Sequence, residues 1–390
     1  MAFVYDILIP FFAAMIATFW IHPIILKIAI LKNLVDNPDA RKLQRNPVPV
    51  MGGIAVFFGI IIGISCSQFT EPSRYLFILI AAMVIMLYIG AIDDILNLTP
   101  KLRFIVEICV ILTVMLVNDV SINDFFGLWG INAIPSWLSI PLTVVAAVGI
   151  INAINMIDGV NGLSSSICIF SFSIFAIMFY ASGDILMAKL ATTAVGAVIP
   201  FFLHNVFGRS TKMFIGDSGA LLMGTLLSVF TIDVLNTDSQ SRQYAMQGMS
   251  IIAFTLATLS IPIFDTLRVM LNRIRQCRSP FSPDKTHLHH LFLELGFTHV
   301  GTTITILTLN TIILGLWWLS YNIGASIEAQ LYLVLGLGFM FTFIFYNITK
   351  KELKKDKESL YIRLLKRLGK LLKIETNSFF SYIQRTIDKL

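Results

Sequence analysis

The chain has 390 residues, of which 56% are hydrophobic and 13% charged, and its mean hydropathy is +0.80. That balance excludes a soluble domain built around one large core and points to an all-α polytopic membrane protein. The net charge of +6 is concentrated at one end, because residues 349–390 carry 12 Lys/Arg against 5 Asp/Glu, so the basic balance suits a membrane surface and not nucleic acid.

Eleven apolar spans follow in chain order, at roughly 3–29, 50–66, 75–92, 104–118, 137–152, 164–180, 186–207, 217–234, 248–267, 301–320 and 328–347, each set against the need for about 20 apolar residues. Asp6 is the only charge before Lys27, so the first run is expected to remain as an uncleaved span. The fifth span is the weakest, being short and interrupted by Pro141. Cys66, Cys109, Cys168 and Cys277 form no CxxC pair, so neither a disulfide framework nor a zinc site is expected. An N-terminus outside and a C-terminus in the cytoplasm puts 26 of the 29 Lys/Arg on the cytoplasmic side, as the positive-inside rule requires. The expected division is a membrane domain over 1–348, with its largest cytoplasmic loop at 268–300, and a basic tail over 349–390. In that tail Leu360, Leu364, Leu365, Leu368, Leu371 and Leu372 recur at helical spacing, which predicts an amphipathic helix on the inner leaflet.

The polar sequences between spans collect on that cytoplasmic face. The first loop holds Arg41, Lys42 and Arg45, braced by Pro47 and Pro49 before Gly52-Gly53. Its cations could meet phosphates, although the positive-inside rule alone would account for them. Asp93 and Asp94 follow the third span, where the helix end already carries partial negative charge and usually attracts Lys or Arg. Two aspartates there repel each other and the dipole, unless a divalent cation or a proton-transfer step explains them. The third loop contains Asn152, Asn155, Asp158 and Asn161 with Gly159 and Gly162. A simple turn needs only one such Asn-Gly or Asp-Gly pair, and polar groups at the edge of lipid are costly. In the fourth loop Phe214 and Gly216 precede Asp217, which could be an ordinary helix N-cap. The fifth loop carries Lys285, His287, His289 and His290. These histidines lack the spacing of the usual zinc motifs and suit a polyphosphate better. Asp265 and Arg268, at i and i+3, read as a helix-surface ion pair.

Carboxylates for magnesium, cations and imidazoles for phosphates, and an aromatic side chain thus share one face. Magnesium takes few carboxylates and completes its shell with substrate phosphate oxygens. A transporter of an anionic solute would place its charges near the middle of the membrane, and the span centres here are nearly free of charge. Chemistry on a phosphorylated substrate at the inner surface, with a lipid entering from the bilayer, fits better.

Five motifs in order then resemble one family over roughly residues 30 to 300. They are Arg45-x-Pro-x-Pro-x-Met-Gly-Gly53, Asp93-Asp94, Asn155-Met-x-Asp158-Gly, Phe214-x-Gly-Asp217-x-Gly, and Ser279-Pro-Phe-x-Pro-Asp-x-x-His287-x-His-His290. Together they are similar to those of the polyprenyl-phosphate N-acetylhexosamine-1-phosphate transferases. The last resembles the branch that uses UDP-GlcNAc and not the phospho-MurNAc-pentapeptide branch. The resemblance implies transfer of GlcNAc-1-phosphate from UDP-GlcNAc to undecaprenyl phosphate, with release of UMP, as the first membrane step of a cell-envelope glycan pathway. It implies Mg2+, with Mn2+ as an alternative, and location in a bacterial inner membrane; pairing of two copies stays open. It assigns catalysis to Asp93, Asp94, Asp158 and His289, and metal binding to Asp217 with Asp158. Substrate contacts fall to Arg45, Lys101, Asn155, Phe214, His287 and His290. Asp93 and Asp94 would flank the lipid phosphate, one of them as base or as a phospho-aspartyl nucleophile. Two positions depart from the family pattern, because Asn97 and Asn161 stand where Asp is common, so neither can be a base or a charged ligand.

Overall fold

The computed structural model describes residues 3–36, 47–68, 73–280 and 285–389. Seventeen helices account for most of them. In chain order they are α1 (Ile9–Leu31), α2 (Gly52–Ser65), α3 (Arg74–Leu96), α4 (Pro100–Asn118), α5 (Ser136–Met156), α6 (Leu163–Ser182), α7 (Ile185–Phe207), α8 (Gly216–Val234), α9 (Arg242–Met246), α10 (Ile251–Thr258), α11 (Ser260–Arg275), α12 (Leu288–Glu294), α13 (His299–Asn322), α14 (Ile327–Phe339), α15 (Phe345–Lys355), α16 (Leu360–Leu371) and α17 (Ser378–Ile387). One small antiparallel pair, β1 (Val35–Asp36) with β2 (Val48–Pro49), closes the first loop.

All eleven expected spans fall on helices, but not all of them qualify as crossings. Among the described residues, eight helices are long and apolar enough, with α14 and α15 forming one continuous span, and the bent pair α10–α11 would make nine. At 14 residues α2 covers about 21 Å against about 30 Å of hydrocarbon. α4 carries Lys101, Arg103 and Glu107 in its first turns. The fifth span is a correction: it is not short, because α5 runs 21 residues through Pro141. That proline is the sixth helical residue, so its missing N–H removes one bond of the ladder, to the Trp137 carbonyl, and the helix continues through it.

Local chemistry explains many of the helix limits. Ser73, Asp184, Thr298, Ser326 and Ser359 each accept a hydrogen bond from the N–H three residues on, starting α3, α7, α13, α14 and α16. Asn97 ends α3 in the left-handed conformation, at φ +51°, which Asn tolerates better than most residues. This gives Asn97 a backbone role in place of a charged one.

α8 is the centre of the bundle and is buried along nearly its whole length. α3 and α5 lie along it, α2 joins them at its N-terminus, and α1, α2 and α7 form the layer beyond. Small residues set the closest crossings. A Cβ on Gly53 would come within 2.2 Å of Gly219 N, and one on Gly90 within 2.4 Å of Ser218 Cα. Three helix ends therefore converge on the first turn of α8.

Candidate active site

The convergence is completed by a hydrogen-bond pattern that the sequence did not predict. Asp94, at the end of α3, does not lie against its own helix terminus. Its carboxylate accepts from the backbone N–H of Asp217 at 2.8 Å and of Ser218 at 3.2 Å. Those amides open α8, where no intrahelical acceptor exists and the dipole favours negative charge. Gly216 makes this approach achievable: its φ is +72°, and a Cβ there would lie 2.5 Å from Asp94 Oδ2. Asp93 turns the other way and accepts from Leu98 N at 2.7 Å and Arg103 Nη1 at 3.0 Å. The two aspartates thus escape mutual repulsion by facing different helix starts.

Asp217 is not an N-cap. Ile215 occupies that position, and Asp217 lies inside the first turn. Its carboxylate accepts from Asn155 Nδ2 and stands 3.5 Å from Arg103 Nη1. With its side chain 34% exposed, it keeps an open side toward solvent. Arg103 also reaches Glu107 Oε1 at 3.6 Å. Glu107 is buried, and its other oxygen accepts from Asn152 Nδ2 at 2.6 Å. A single guanidinium is therefore shared by Asp93, Asp217 and Glu107, with Asp94 adjoining, so four carboxyl groups surround one cation.

The third and fifth loops meet beside this cluster. Asp158 accepts from Ser164 Oγ at 2.6 Å. Burial pushes its carboxyl up to about 7, further raised by the charge of Asp217 and opposed by the Ser164 hydroxyl. The next residue, Gly159, faces His289: a Cβ there would lie 3.1 Å from His289 Nε2. His289 is buried, and burial, reinforced by His290 and His287, holds its pKa well below the ordinary value. It is therefore a neutral imidazole at pH 7, offering one N–H and one acceptor nitrogen. Its ring stacks on His287 at 5.6 Å and meets His290 at 4.2 Å.

His287 is oriented from beneath, with its Nδ1 2.9 Å from Asp265 Oδ2. Here the surface reading of Asp265 and Arg268 is corrected. Both are buried, 2.5 Å apart, and Arg268 also bonds Thr286 O at 2.7 Å and lies 3.7 Å from the Tyr346 ring centroid. Residues 286–288 lie against α11 here, so the pair anchors the histidines and does not decorate a surface.

Phe214 is held through its backbone: its N–H donates to Pro49 O at 2.8 Å and its carbonyl accepts from Gly52 N at 2.9 Å. Lys212 Nζ lies 5.7 Å from its ring centroid. Lys101 is exposed in the first turn of α4, whereas Arg103, two residues on, enters the cluster. Asn161 acts through its backbone, its N–H donating to His299 Nδ1 at 3.3 Å and its carbonyl accepting from Thr303 Oγ1 at 2.9 Å. Arg45 lies outside the described residues. Sequence reasoning missed Arg103 and Glu107 as site residues, although their i, i+4 spacing inside an apolar run was a readable signal. It also passed over Gly90, which only the helix crossing singles out. Among the described residues, no group of three His, Cys, Asp or Glu side chains stands ready to hold a metal.

The sequence profile of glycosyl transferase family 4 matches residues 76–235, a stretch that includes Asp93, Asp94, Asn155, Asp158 and Asp217. A probable undecaprenyl-phosphate N-acetylglucosaminyl 1-phosphate transferase from Bacillus subtilis (strain 168) is 30% identical over 308 residues, covering 77% of this chain and 81% of that protein. The chain belongs to the polyprenyl-phosphate N-acetylhexosamine-1-phosphate transferases. Undecaprenyl-phosphate alpha-N-acetylglucosaminyl 1-phosphate transferases from Yersinia pestis and Escherichia coli (strain K12) are 33% and 30% identical over 278 residues, covering 70% of this chain and 73% and 72% of theirs. As a transferase of this family the chain is a multi-pass membrane protein whose ordered motifs meet at one end of α8.

Proposed function

We propose that this chain transfers GlcNAc-1-phosphate from UDP-GlcNAc to undecaprenyl phosphate. A lipid phosphate oxygen bonds to the phosphorus that bears the sugar, and the pyrophosphate bridge breaks to release UMP. The observation that carries the reading is the meeting of the Asp93–Asp94, Asn155–Asp158, Phe214–Asp217 and His287–His290 segments around the first turn of α8. The names of the relatives carry the same acceptor, undecaprenyl phosphate, and the same transferred group, N-acetylglucosaminyl 1-phosphate.

A phosphate monoester has a second pKa of about 6, so the acceptor is already largely dianionic at pH 7 and direct attack needs little help from a base. Asp93 and Asp94 then serve by holding Arg103 and the α8 amides in place. His289 would give its N–H to the departing phosphate, where charge develops. Asn155 would bind the nucleotide-sugar, Phe214 would stack on uracil, and Lys101 and Arg45 would meet the lipid phosphate. His287 and His290 would flank the pyrophosphate.

The excess of carboxylates over the single guanidinium suits a divalent cation. Asp217, open on one side, and Asp158 supply the one or two carboxylates that Mg2+ prefers. When bound, that ion would neutralise pyrophosphate charge. The distribution of Lys/Arg supports a cytoplasmic site with the N-terminus outside and the tail inside, in a bacterial inner membrane.

The test is direct. Detergent-purified protein should release UMP from UDP-GlcNAc only when undecaprenyl phosphate is present. Release without the lipid, or lipid-dependent turnover of UDP-MurNAc-pentapeptide at a comparable rate, would overturn the assignment.

A further inference from the structure

The tail takes no part in the proposed chemistry, yet it is bonded to one loop that carries it and to the helix turn that holds the other. α16 packs Ile362, Leu365 and Gly369, with Leu372 just past its end, against the body of the protein, and a Cβ on Gly369 would lie 2.7 Å from the Phe297 ring. α17 packs Phe380 on Phe207, with ring centroids 4.8 Å apart. Just beyond α17, Asp388 accepts from the backbone N–H of Arg209 at 2.9 Å and of Ser210 at 3.0 Å, from Ser210 Oγ at 3.0 Å, and from Thr211 N at 3.4 Å. These residues begin the loop that ends in Phe214 and Asp217. Between the two tail helices, Glu375 accepts from Val300 N at 3.2 Å in the first turn of α13. The adjacent His299 is the partner of Asn161 N, in the loop of Asp158.

The other side of α16 is unlike a solvated surface. Leu360, Leu364, Leu368 and Leu371 are exposed, Leu371 by 80%, and alternate with exposed Arg363, Arg367 and Lys370. α17 adds exposed Phe379, Tyr382 and Arg385. One apolar stripe of α16 thus packs on protein, and a second stripe has no protein partner among the described residues. At about 25 cal/mol per Å² of apolar surface, leaving it in water is unfavourable. The span formed by α14 and α15 ends at Lys355, five residue steps before Leu360, so α16 begins at most about 18 Å from that end. The tail's 12 Lys/Arg against 5 Asp/Glu match an anionic leaflet.

We propose that α16 and α17 seat on an anionic lipid surface, and that this seating, through Asp388 and Glu375, holds the 208–214 and 158–162 loops in their working arrangement. Asp388 is then a positioning residue that acts through the loop backbone. The link to turnover rests on the transfer reaction proposed above, but the seating itself does not.

The test uses the full chain in vesicles of phosphatidylcholine alone, or with about one-third phosphatidylglycerol to supply anionic charge. Two readouts are followed: hydrogen exchange at the amides of 209–211, and UMP release. Anionic vesicles should slow exchange at 209–211 and raise kcat, with KM for UDP-GlcNAc little changed. Asp388→Ala should speed that exchange on the order of tenfold, the effect of losing hydrogen bonds to a charged acceptor, and should remove the lipid response of both readouts. Asp388→Asn, which keeps an acceptor, should restore most of it. Leu364→Gln with Leu368→Gln should make anionic vesicles behave like neutral ones, since these side chains are exposed and their loss leaves the fold intact. Equal exchange in the two vesicles, or a wild-type lipid response in either the Asp388→Ala or the double Gln variant, would overturn the proposal. A normal exchange response with no UMP release under any condition would sink the transfer reaction and leave the lipid seating standing.

Discussion

The two ends of α8 carry the same residue type and treat it differently. At the N-terminal end, Asp217 and Asp94 are met by backbone amides, a guanidinium and a side-chain amide. At the C-terminal end, Asp233 faces Asp184, with which it shares a hydrogen bond, and Tyr75, whose hydroxyl is buried without a hydrogen-bond partner among the described residues. Two carboxyls can share a hydrogen bond only if one of them carries the proton. The first turn of α8 offers Asp94 free amides and partial positive charge, whereas the last turn offers Asp233 no donor and partial negative charge. One end sets its carboxyl groups against amides and a guanidinium; the other sets two carboxyls against each other, sharing one proton.

The largest effect should come from the N-terminal end of α8. Asp217→Asn should preserve the fold, since the Asn155 contact can be remade, yet lower UMP release by about 10²–10³ or more, as for loss of a preorganised electrostatic group. Near-normal turnover at limiting magnesium would reduce Asp217 to a structural residue. Asp94→Ala should come next, weakening activity and also destabilising the fold by about 0.5–2 kcal/mol, the range for losing acceptors at a helix start. Thermal unfolding in detergent would read this, and an unchanged midpoint would mean that the α8 amides find another partner.

His289→Ala should lower kcat by about 10–100-fold with KM for UDP-GlcNAc nearly unchanged, because its contact strengthens as charge develops. A raised KM alone would move the histidine to ground-state binding. This residue also shows how far the sequence could be read. The cluster His287-x-His-His290 was visible because three imidazoles in four positions are unusual. That His289 is neutral and lies on Gly159, while His287 is tied to Asp265, depended on residues 286–288 lying against α11, which spacing cannot reveal.

The smallest effect on activity should come from the C-terminal end of α8. Asp184→Asn should leave turnover within about twofold, since substitutions away from the chemistry are usually mild, but should alter the dependence of stability on pH. Burial raises the Asp184 carboxyl above its ordinary value, against the lowering effect of the Met187 amide. Above the unfolded value of about 3.9 the folded state binds more protons than the unfolded one, so wild-type stability falls as pH rises through that window. The variant should show a flatter profile, and an identical slope would remove Asp184 from the account.

By itself the sequence determined the membrane class, the positions of the helices and the face on which the polar motifs gather. The reason is that apolar length and charge asymmetry are local properties, and polar groups beside lipid stand out against them. It also carried the motif order that identifies the family. Only the tertiary structure decided which partner each motif finds. Asp94 and the amide it accepts from are 123 residues apart, and Glu107 and Asn152 are 45 apart. The 78° bend between α10 and α11 and the burial of Arg268 likewise have no local signature. Such contacts depend on how closely helix backbones can approach, at Gly53 against Gly219 and at Gly90 against Ser218, and that is a property of packing and not of any one stretch of chain.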